Sequence, residues 1–405
     1  MTSSRDIAIN GGPPLRDRPL PPRRAFGESE LEMVSKVFDH SWETGWDFGF
    51  QGQFEDEFCA NFCEFQSGGY ADAVSSGSAA VYLALLALDL PDGSDVVVSP
   101  VCNPGGIMPV AVQNVKLVIP DTNVGCFNIS PDAFERAITP KTRAAVLTHL
   151  GGHCIDIDSI MEIAAGKGIR VIEDCSQSPG ALYKGRRVGT FGDMAAFSTM
   201  YSKTLATGGC GGMVYTKSEE YYWRVRSLAD RGKPFESSNF DLRDTTAYKF
   251  PALNFNANEI SCAIGIATLS KLQRTIDERR TVAYKLDVAL EDSKVIHPSN
   301  LELPGTVSSP FFHTVLVDVD KIAVSKVEFA AAVAAEGIWI NGDYRDITSE
   351  WPWVRAHVRD WQETPNAIDF RNRTFNILTN ERFSDDDVRD ILRCIQKVES
   401  YYLKS

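Results

Sequence analysis

At 405 residues the chain exceeds the length at which a single hydrophobic core stops growing, so two units, or one with an appendage, are expected. Its formal net charge of −13 argues against a nucleic-acid binder, whose affinity rests on clustered Lys and Arg, but leaves room for a small anion in a local cup of donors. Nine scattered cysteines set mostly in apolar runs read as reduced thiols; with no apolar run of spanning length and no signal-peptide core in residues 1–24, a soluble cytoplasmic protein without a membrane partner is expected.

In chain order, residues 10–22 are Gly/Pro-rich and should lie extended on the surface, and Ser29 opens a helical pattern toward His40. A helix follows Ser76-Gly77-Ser78; residues 79–88 are almost all apolar, which predicts burial on most faces. Short β-rich runs at 95–99, 116–119, 144–149 and 170–174 then alternate with helices. One helix starts at Ser130-Pro131-Asp132, with a capping side chain, Pro in the first turn and an acid facing the dipole. Strands apolar on both faces and separated by helices predict an α/β fold with a mostly parallel central sheet covered on both sides. Two further strand-like runs, 194–198 and 212–216, flank Lys203. Past Tyr248 the pattern predicts a helix over about 258–280, another near 281–290 and a strand over 313–319. Ser325 and Glu328 form a capping box before an Ala-rich helix that stops at Gly337. Ser384 and Asp387 start the last helix, whose Val388, Ile391, Leu392, Ile395 and Val398 make one apolar stripe. The resulting division is an extended segment over 1–24, a large unit over 25–275 and a small C-terminal unit over 276–405.

The run 170–173 delivers Asp174 at the carboxyl end of a strand, the end that faces the ligand crevice in an open α/β sheet. A carboxylate there can keep a pyridinium nitrogen protonated, although taken alone it equally suits an Asp that caps the turn at 175–180. Lys203 shifts the balance. It follows a strand, sits among small and apolar residues and precedes Thr207-Gly208-Gly209-Cys210-Gly211-Gly212. Desolvation in such a place disfavours the ammonium and yields an amine nucleophile, whereas a lysine in a mobile surface loop stays charged. Ser76-Gly77-Ser78-Ala79-Ala80 is a strand-to-helix turn that makes either an anion cup or a plain cap. The glycines at 208, 209, 211 and 212 open no long helix and so form no dinucleotide fingerprint, and no Walker-type loop is present. His149, His153 and Cys154 suggest a metal, but Leu150-Gly151-Gly152 breaks the helix that their spacing needs, and no metal is assigned. Trp351-Pro352-Trp353 suits a sugar-stacking platform or, more commonly, core or interface.

Together and in this order the segments resemble the DegT/StrS-type family of pyridoxal phosphate (PLP)-dependent sugar aminotransferases over nearly the whole chain. The family's Ser-Gly-Thr-Ala-Ala helix start is similar to residues 76–80, and its Glu-Asp-x-x-Gln strand end to Glu173-Asp174-Cys175-Ser176-Gln177. The following Gly-Ala-x-Tyr-Lys-Gly stretch stands at 180–185, and the family's Gly-Asp-x-x-x-Phe-Ser-Phe-x-x-x-Lys run is similar to 192–203. Asn10-Gly11-Gly12-Pro13 is similar to members acting on ketosugars or ketocyclitols. The resemblance implies a fold-type I PLP transferase in which Lys203 binds PLP covalently, Asp174 holds the ring nitrogen and Gln177 contacts the ring-hydroxyl side. It also implies that Gly77, Ser78 and Ser198 hold the phosphate. Asn254 aligns with a family asparagine that reaches the phosphate in the neighbouring subunit, which implies a homodimer with shared active sites; His313 and Tyr344 align with a substrate-side region. Three departures stand out: Cys102 and Asn103 occupy the position where the family stacks an aromatic ring on the cofactor, Asn256 replaces an Arg, and Thr199 replaces a Phe.

The implied reaction moves an amino group from an amino acid, glutamate or glutamine, to a keto carbon of a nucleotide sugar or ketocyclitol, in antibiotic or surface-polysaccharide sugar biosynthesis, with Lys203 as proton shuttle. Other readings are a PLP enzyme of the same fold with altered chemistry, suggested by Cys102 and Asn103, and a catalytically silent regulatory member. The silent reading is disfavoured because Asp174, Gln177, Ser198 and Lys203 are all present. The family's ketosugar dehydratase branch carries histidine in place of the lysine, and Lys203 argues against it.

Overall fold

The structure, a computed structural model, describes residues 7–237, 240–241 and 244–404. Its main sheet begins with β1 (Tyr70–Val74), β2 (Asp95–Val98), β3 (Lys116–Val118), β4 (Thr142–Thr148) and β5 (Arg170–Asp174). A small hairpin, β6 (Leu182–Tyr183) and β7 (Arg186–Arg187), precedes the last two sheet strands, β8 (Met194–Ser198) and β9 (Gly212–Thr216). The order is β1-β9-β8-β5-β4-β2-β3; β9 runs antiparallel to both neighbours, and every other adjacent pair is parallel.

Helices α1 (Glu28–Thr44), α2 (Gln53–Phe65), α3 (Gly77–Ala87), α4 (Pro104–Ala111), α5 (Pro131–Ala137), α6 (Ile157–Lys167), α7 (Glu219–Ala229) and α8 (Glu259–Ser270) accompany this sheet. Because side chains alternate along a strand, each strand feeds two cores. Val97, Ala145, Leu147 and Val171 meet Phe58 and Phe62 of α2 and Ile160 of α6 on one face. Val96, Ala144, Val146 and Ile172 meet Leu83 and Leu85 of α3 and Val110 of α4 on the other.

The second unit contains β10 (Ile296–Pro298), β11 (Thr306–Val307), β12 (His313–Val317), β13 (Ile340–Asn341) and β14 (Thr374–Ile377), with α9 (Leu272–Leu290), α10 (Lys326–Ala335), α11 (Pro365–Asn372) and α12 (Asp385–Tyr402). Its sheet, β10-β12-β14-β13, is antiparallel throughout, while β11 pairs with β6. The expected capping box forms at Ser325, whose Oγ accepts the Glu328 N–H at 3.2 Å, and the expected helix start at Ser384 forms one too, its Oγ accepting the Asp387 N–H at 3.3 Å; each acid reaches back to its cap.

Four expectations need correction. Helix α1 starts at Glu28 rather than Ser29 and runs on to Thr44, because Glu30 Oε2 accepts the Gly27 N–H at 2.8 Å and fixes the first turn there. The helices expected over 258–280 and 281–290 divide at Lys271 instead. Burial decides that division: α9 places Leu272 and Ile276 in a large-sheet core and Val282, Leu286 and Leu290 in the core of the second unit, with no interruption at 280. The strand expected to 319 ends at Val317. Residues 11–22 form neither helix nor strand, yet they are not confined to the surface: Leu20 is fully buried in the second core, and Arg16, also buried, pairs with Asp387 at 2.6 Å and Asp390 at 2.7 Å. Among the described residues no helix is long and apolar enough to cross a membrane.

Candidate active site

The carboxyl ends of β1, β4, β5 and β8 converge on one cavity of about 530 Å³. After β1 the chain turns into α3, where Ser76 Oγ accepts the Ala79 N–H at 3.0 Å, and the first-turn N–H groups of Gly77 and Ser78 lack intrahelical acceptors. This turn lies close against the end of β8: a Cβ on Gly77 would stand 2.6 Å from Ser198 Cβ, so the approach needs glycine. Asp174 ends β5 and is 4 % exposed. Its Oδ1 accepts the Ser176 N–H at 3.0 Å, and Thr148, at the end of β4, donates its hydroxyl to Oδ2 at 3.3 Å. A Cβ on Gly106 would meet Oδ2 at 2.7 Å, so that glycine leaves room beside the carboxylate.

One step back on the strand, Glu173 faces the other way. It accepts the N–H groups of Gly189, Phe191 and Gly192 and lies 3.1 Å from His149 Nε2. Burial pushes the Glu173 pKa up, but His149 and these N–H groups outweigh it and hold the carboxyl below the ordinary range. His149 Nδ1 accepts the Ile155 N–H at 3.2 Å, so both ring nitrogens are engaged with protein groups. His149, Glu173 and Cys175 are the one metal-type cluster among the described residues, and it does not include His153 or Cys154.

Lys203 occupies the turn after β8, its N–H on Met200 O at 2.8 Å, and is 8 % exposed. Burial pulls its pKa below the ordinary lysine range against the opposite pull of Asp174 and Asp346. The Phe311 ring covers the amine, with Nζ 4.6 Å from the centroid. Thr199, which replaces an expected Phe, ties this turn together: its hydroxyl lies 2.8 Å from that of Thr207, and a Cβ on Gly211 would collide with both.

Gln177 and Tyr344 line the same cavity; Gln177 Oε1 accepts the Gly151 N–H at 2.8 Å, and its amide nitrogen reaches the Tyr344 hydroxyl at 3.5 Å. Burial pushes that hydroxyl well above the ordinary tyrosine range. Asn103 lies on the wall and caps α4 by accepting the Gly105 N–H at 3.1 Å, while Cys102 is turned into the core. Neither His313 nor Asn254, the latter expected to act in the neighbouring subunit, lines this cavity. Asn254 is exposed, its Oδ1 accepting the Asn256 N–H at 3.0 Å. His313 lines a separate cavity of about 260 Å³ with His153, Asp287 and Glu302, its Nε2 3.2 Å from Asp287 Oδ1. Trp351 and Trp353 pack on the core beside α4, outside the Lys203 cavity.

The wall also holds residues that sequence reasoning passed over: Thr148, Phe311, Phe312 and Asp346. Thr148 was reachable by the rule that found Asp174, since it too ends a parallel strand. The other three come from the second unit, and no local pattern marks them. Burial raises the Asp346 pKa, opposed by Tyr344, Lys203 and Asn103.

Residues 25–396 match the DegT/DnrJ/EryC1/StrS aminotransferase family. The chain belongs to that family. Along 412 aligned residues, 97 % of each chain, this aminotransferase is 31 % identical to L-glutamine:2-deoxy-scyllo-inosose aminotransferase of Micromonospora echinospora. Its fold is shared with an aminotransferase from Psychrobacter cryohalolentis, at a TM-score of 0.86 and 24 % identity over 95 % of this chain and 100 % of that one. It is shared also with Escherichia coli GDP-4-keto-6-deoxy-D-mannose-3-dehydratase with bound hydrated PLP, at 0.82 and 23 % over 94 % and 99 %.

The aminotransferase uses PLP, and its cavity fits that group. The α3 N-terminus with the Ser78 and Ser198 hydroxyls offers a cup for a phosphate, Gly77 lets that helix start close on Ser198, Gly106 leaves room for the Asp174 carboxylate, and a buried amine and a buried carboxylate share the remaining wall. Bound PLP supplies an electron sink for the carbon that carries the transferred amino group.

Proposed function

We propose that this aminotransferase moves the amino group of glutamine or glutamate to the keto carbon of a polyhydroxylated ketone, a ketocyclitol before a nucleotide-linked ketosugar, in antibiotic or surface-polysaccharide sugar assembly. The observation that carries the proposal is the joint delivery of a desolvated lysine and a buried carboxylate into one polar cavity. Lys203 holds PLP and, once freed, takes and returns the substrate proton at Nζ, a task that its burial favours by disfavouring the ammonium. Asp174 keeps a proton on the pyridine nitrogen, Gln177 meets the ring-hydroxyl side, and Gly77, Ser78 and Ser198 take the phosphate. Asn103, Asn341, Tyr344 and Asp346 offer amide, hydroxyl and carboxylate partners to the hydroxyls of the acceptor. Among the described wall residues Lys203 is the only cation, which favours an uncharged polyol over a diphosphate inside the cavity. The relative named for L-glutamine and a ketocyclitol agrees with both choices.

A second copy completes the site in this reading. Asn254 lies beside the loop that carries Phe48 and Phe50, since Gln51 donates to Asn256 at 3.1 Å and Glu259 to Gly49 O at 3.0 Å. That loop continues an exposed aromatic patch in which Trp42 and Trp46 are 75 % and 79 % exposed, as suits a dimer face that brings the partner's phosphate to Asn254. The free cysteines suit the cytoplasm as the place of action.

The fold equally suits the dehydratase named above, so the residue at 203 decides, and an amine there is what amino transfer needs. Purified enzyme loaded with PLP is expected to yield pyridoxamine phosphate with glutamine or glutamate, then return the amino group to a ketocyclitol. Borohydride reduction and peptide mapping should place the pyridoxyl mass on Lys203. No pyridoxamine phosphate with either donor, or a label on another lysine, would overturn the assignment.

A further inference from the structure

We infer that Arg23, in the N-terminal segment and outside the family match at 25–396, is a positioning residue for Lys203. The inference rests on the reading of Lys203 as the PLP lysine. Arg23 Nη1 donates to the carbonyl of Lys203 and Nη2 to that of Thr204 at 2.7 Å. Two N–H groups of one planar guanidinium therefore hold two consecutive carbonyls, which fixes the main chain at residue 203 in direction as well as position. Among the described residues these carbonyls accept from no other group.

The guanidinium is itself anchored. Its Nε donates to Glu381 Oε1 at 3.2 Å, and the other oxygen of Glu381 accepts from Arg279 Nε at 2.9 Å. Arg279, nearly fully buried, donates through Nη1 to Pro310 O at 3.1 Å, and the next ring, Phe311, covers Lys203 Nζ. One carboxylate thus braces both what holds the lysine main chain and what covers its amine. Burial raises the Glu381 pKa, but Arg279 and Arg23 outweigh it and keep the carboxylate ionised. On either side of Glu381, Asn380 donates to Pro21 O at 2.8 Å and Arg382 to Pro22 O at 3.1 Å, so the segment at 21–23 is fastened along its length. The same loop begins at Leu378, which lines the Lys203 cavity.

The test uses the full-length chain, with and without PLP, as wild type, Arg23→Gln and Arg23→Lys. Three quantities are measured: amide hydrogen exchange in a peptide covering 199–207, the PLP concentration that half-saturates borohydride-fixed label on Lys203, and the melting temperature. Arg23→Gln should speed exchange in the turn about tenfold and raise half-saturation about tenfold, the size expected for losing a charge-assisted hydrogen bond. Arg23→Lys keeps a cation for Glu381 but not the fork, so its melting temperature should return toward wild type while exchange and capture stay impaired; this variant decides the matter if Arg23→Gln does not fold. Wild-type exchange and capture in Arg23→Lys, or in a folded Arg23→Gln, would overturn the inference. Label on another lysine in the wild type sinks the functional reading and this one with it, whereas label on Lys203 with unaltered variants sinks this one alone.

Discussion

Adjacent carboxylates on β5 have different fates because a strand alternates its faces: Glu173 is saturated by backbone N–H groups and His149, while Asp174 opens on the cavity. Asp174→Asn keeps an oxygen for the Ser176 N–H, a local contact worth only about 1 kcal/mol, but removes the charge. We expect a near-normal melting temperature and at least a ~100-fold slower single turnover with glutamine, about 2.7 kcal/mol of barrier. Near-normal turnover would sink the electrostatic role. A second residue, His153, should add to the loss of stability in acid. Burial pulls His153 down to about 4 from its ordinary 6.5, with Glu302 and Asp287 pulling up and His313 further down. The folded state therefore binds this proton less readily than the unfolded state, so stability is complete above pH 6.5, falls as pH drops through that value, and stops falling from this source below about 4. Replacement of His153 by Gln should flatten the loss over that window by up to about 3 kcal/mol, read from urea melts at pH 7 and 4.5. Equal slopes in both proteins would refute it.

Among the elements, α3 shows how a helix start becomes a binding feature. The cap at Ser76 is local and was legible from Ser-Gly-Ser, as were those at Ser130, Ser325 and Ser384, because a cap depends on residues within one turn. What local pattern cannot show is that Ser198 leaves no room for a Cβ at Gly77. Gly77→Ala should cost about 1–3 kcal/mol through overpacking and weaken PLP binding, since the added methyl parts the helix start from the strand end. Calorimetry and PLP titration check this; an Ala variant that binds PLP like the wild type would show that the contact yields cheaply. The division of α8 from α9 was misplaced for a related reason. No Gly or Pro punctuates Lys271, and the division follows the burial of Leu272 and Ile276 in one core and of Leu286 and Leu290 in another.

At the scale of the whole molecule, the exposed aromatic face beside Asn254 should be covered in solution. Sedimentation of the wild type is expected to give a dimer or dimer-based oligomer, and joint replacement of Trp42 and Trp46 by Glu a folded monomer with weakened PLP binding. A wild-type monomer that retains PLP and full activity would contradict the shared site. The sequence by itself determined the mostly parallel sheet and the meeting of Ser78, Asp174, Ser198 and Lys203, because in such a sheet the parallel strands' carboxyl ends gather at one edge and chain order fixes which residues stand there. Tertiary structure decided the rest of the wall. Phe311 and Asp346 reach Lys203 only through the docking of the second unit. Arg23 reaches it across 180 residues of chain, and His313, one residue from a cavity-lining phenylalanine, turns toward Asp287 instead. Such contacts depend on how separate cores pack, and no spacing along the chain encodes that packing.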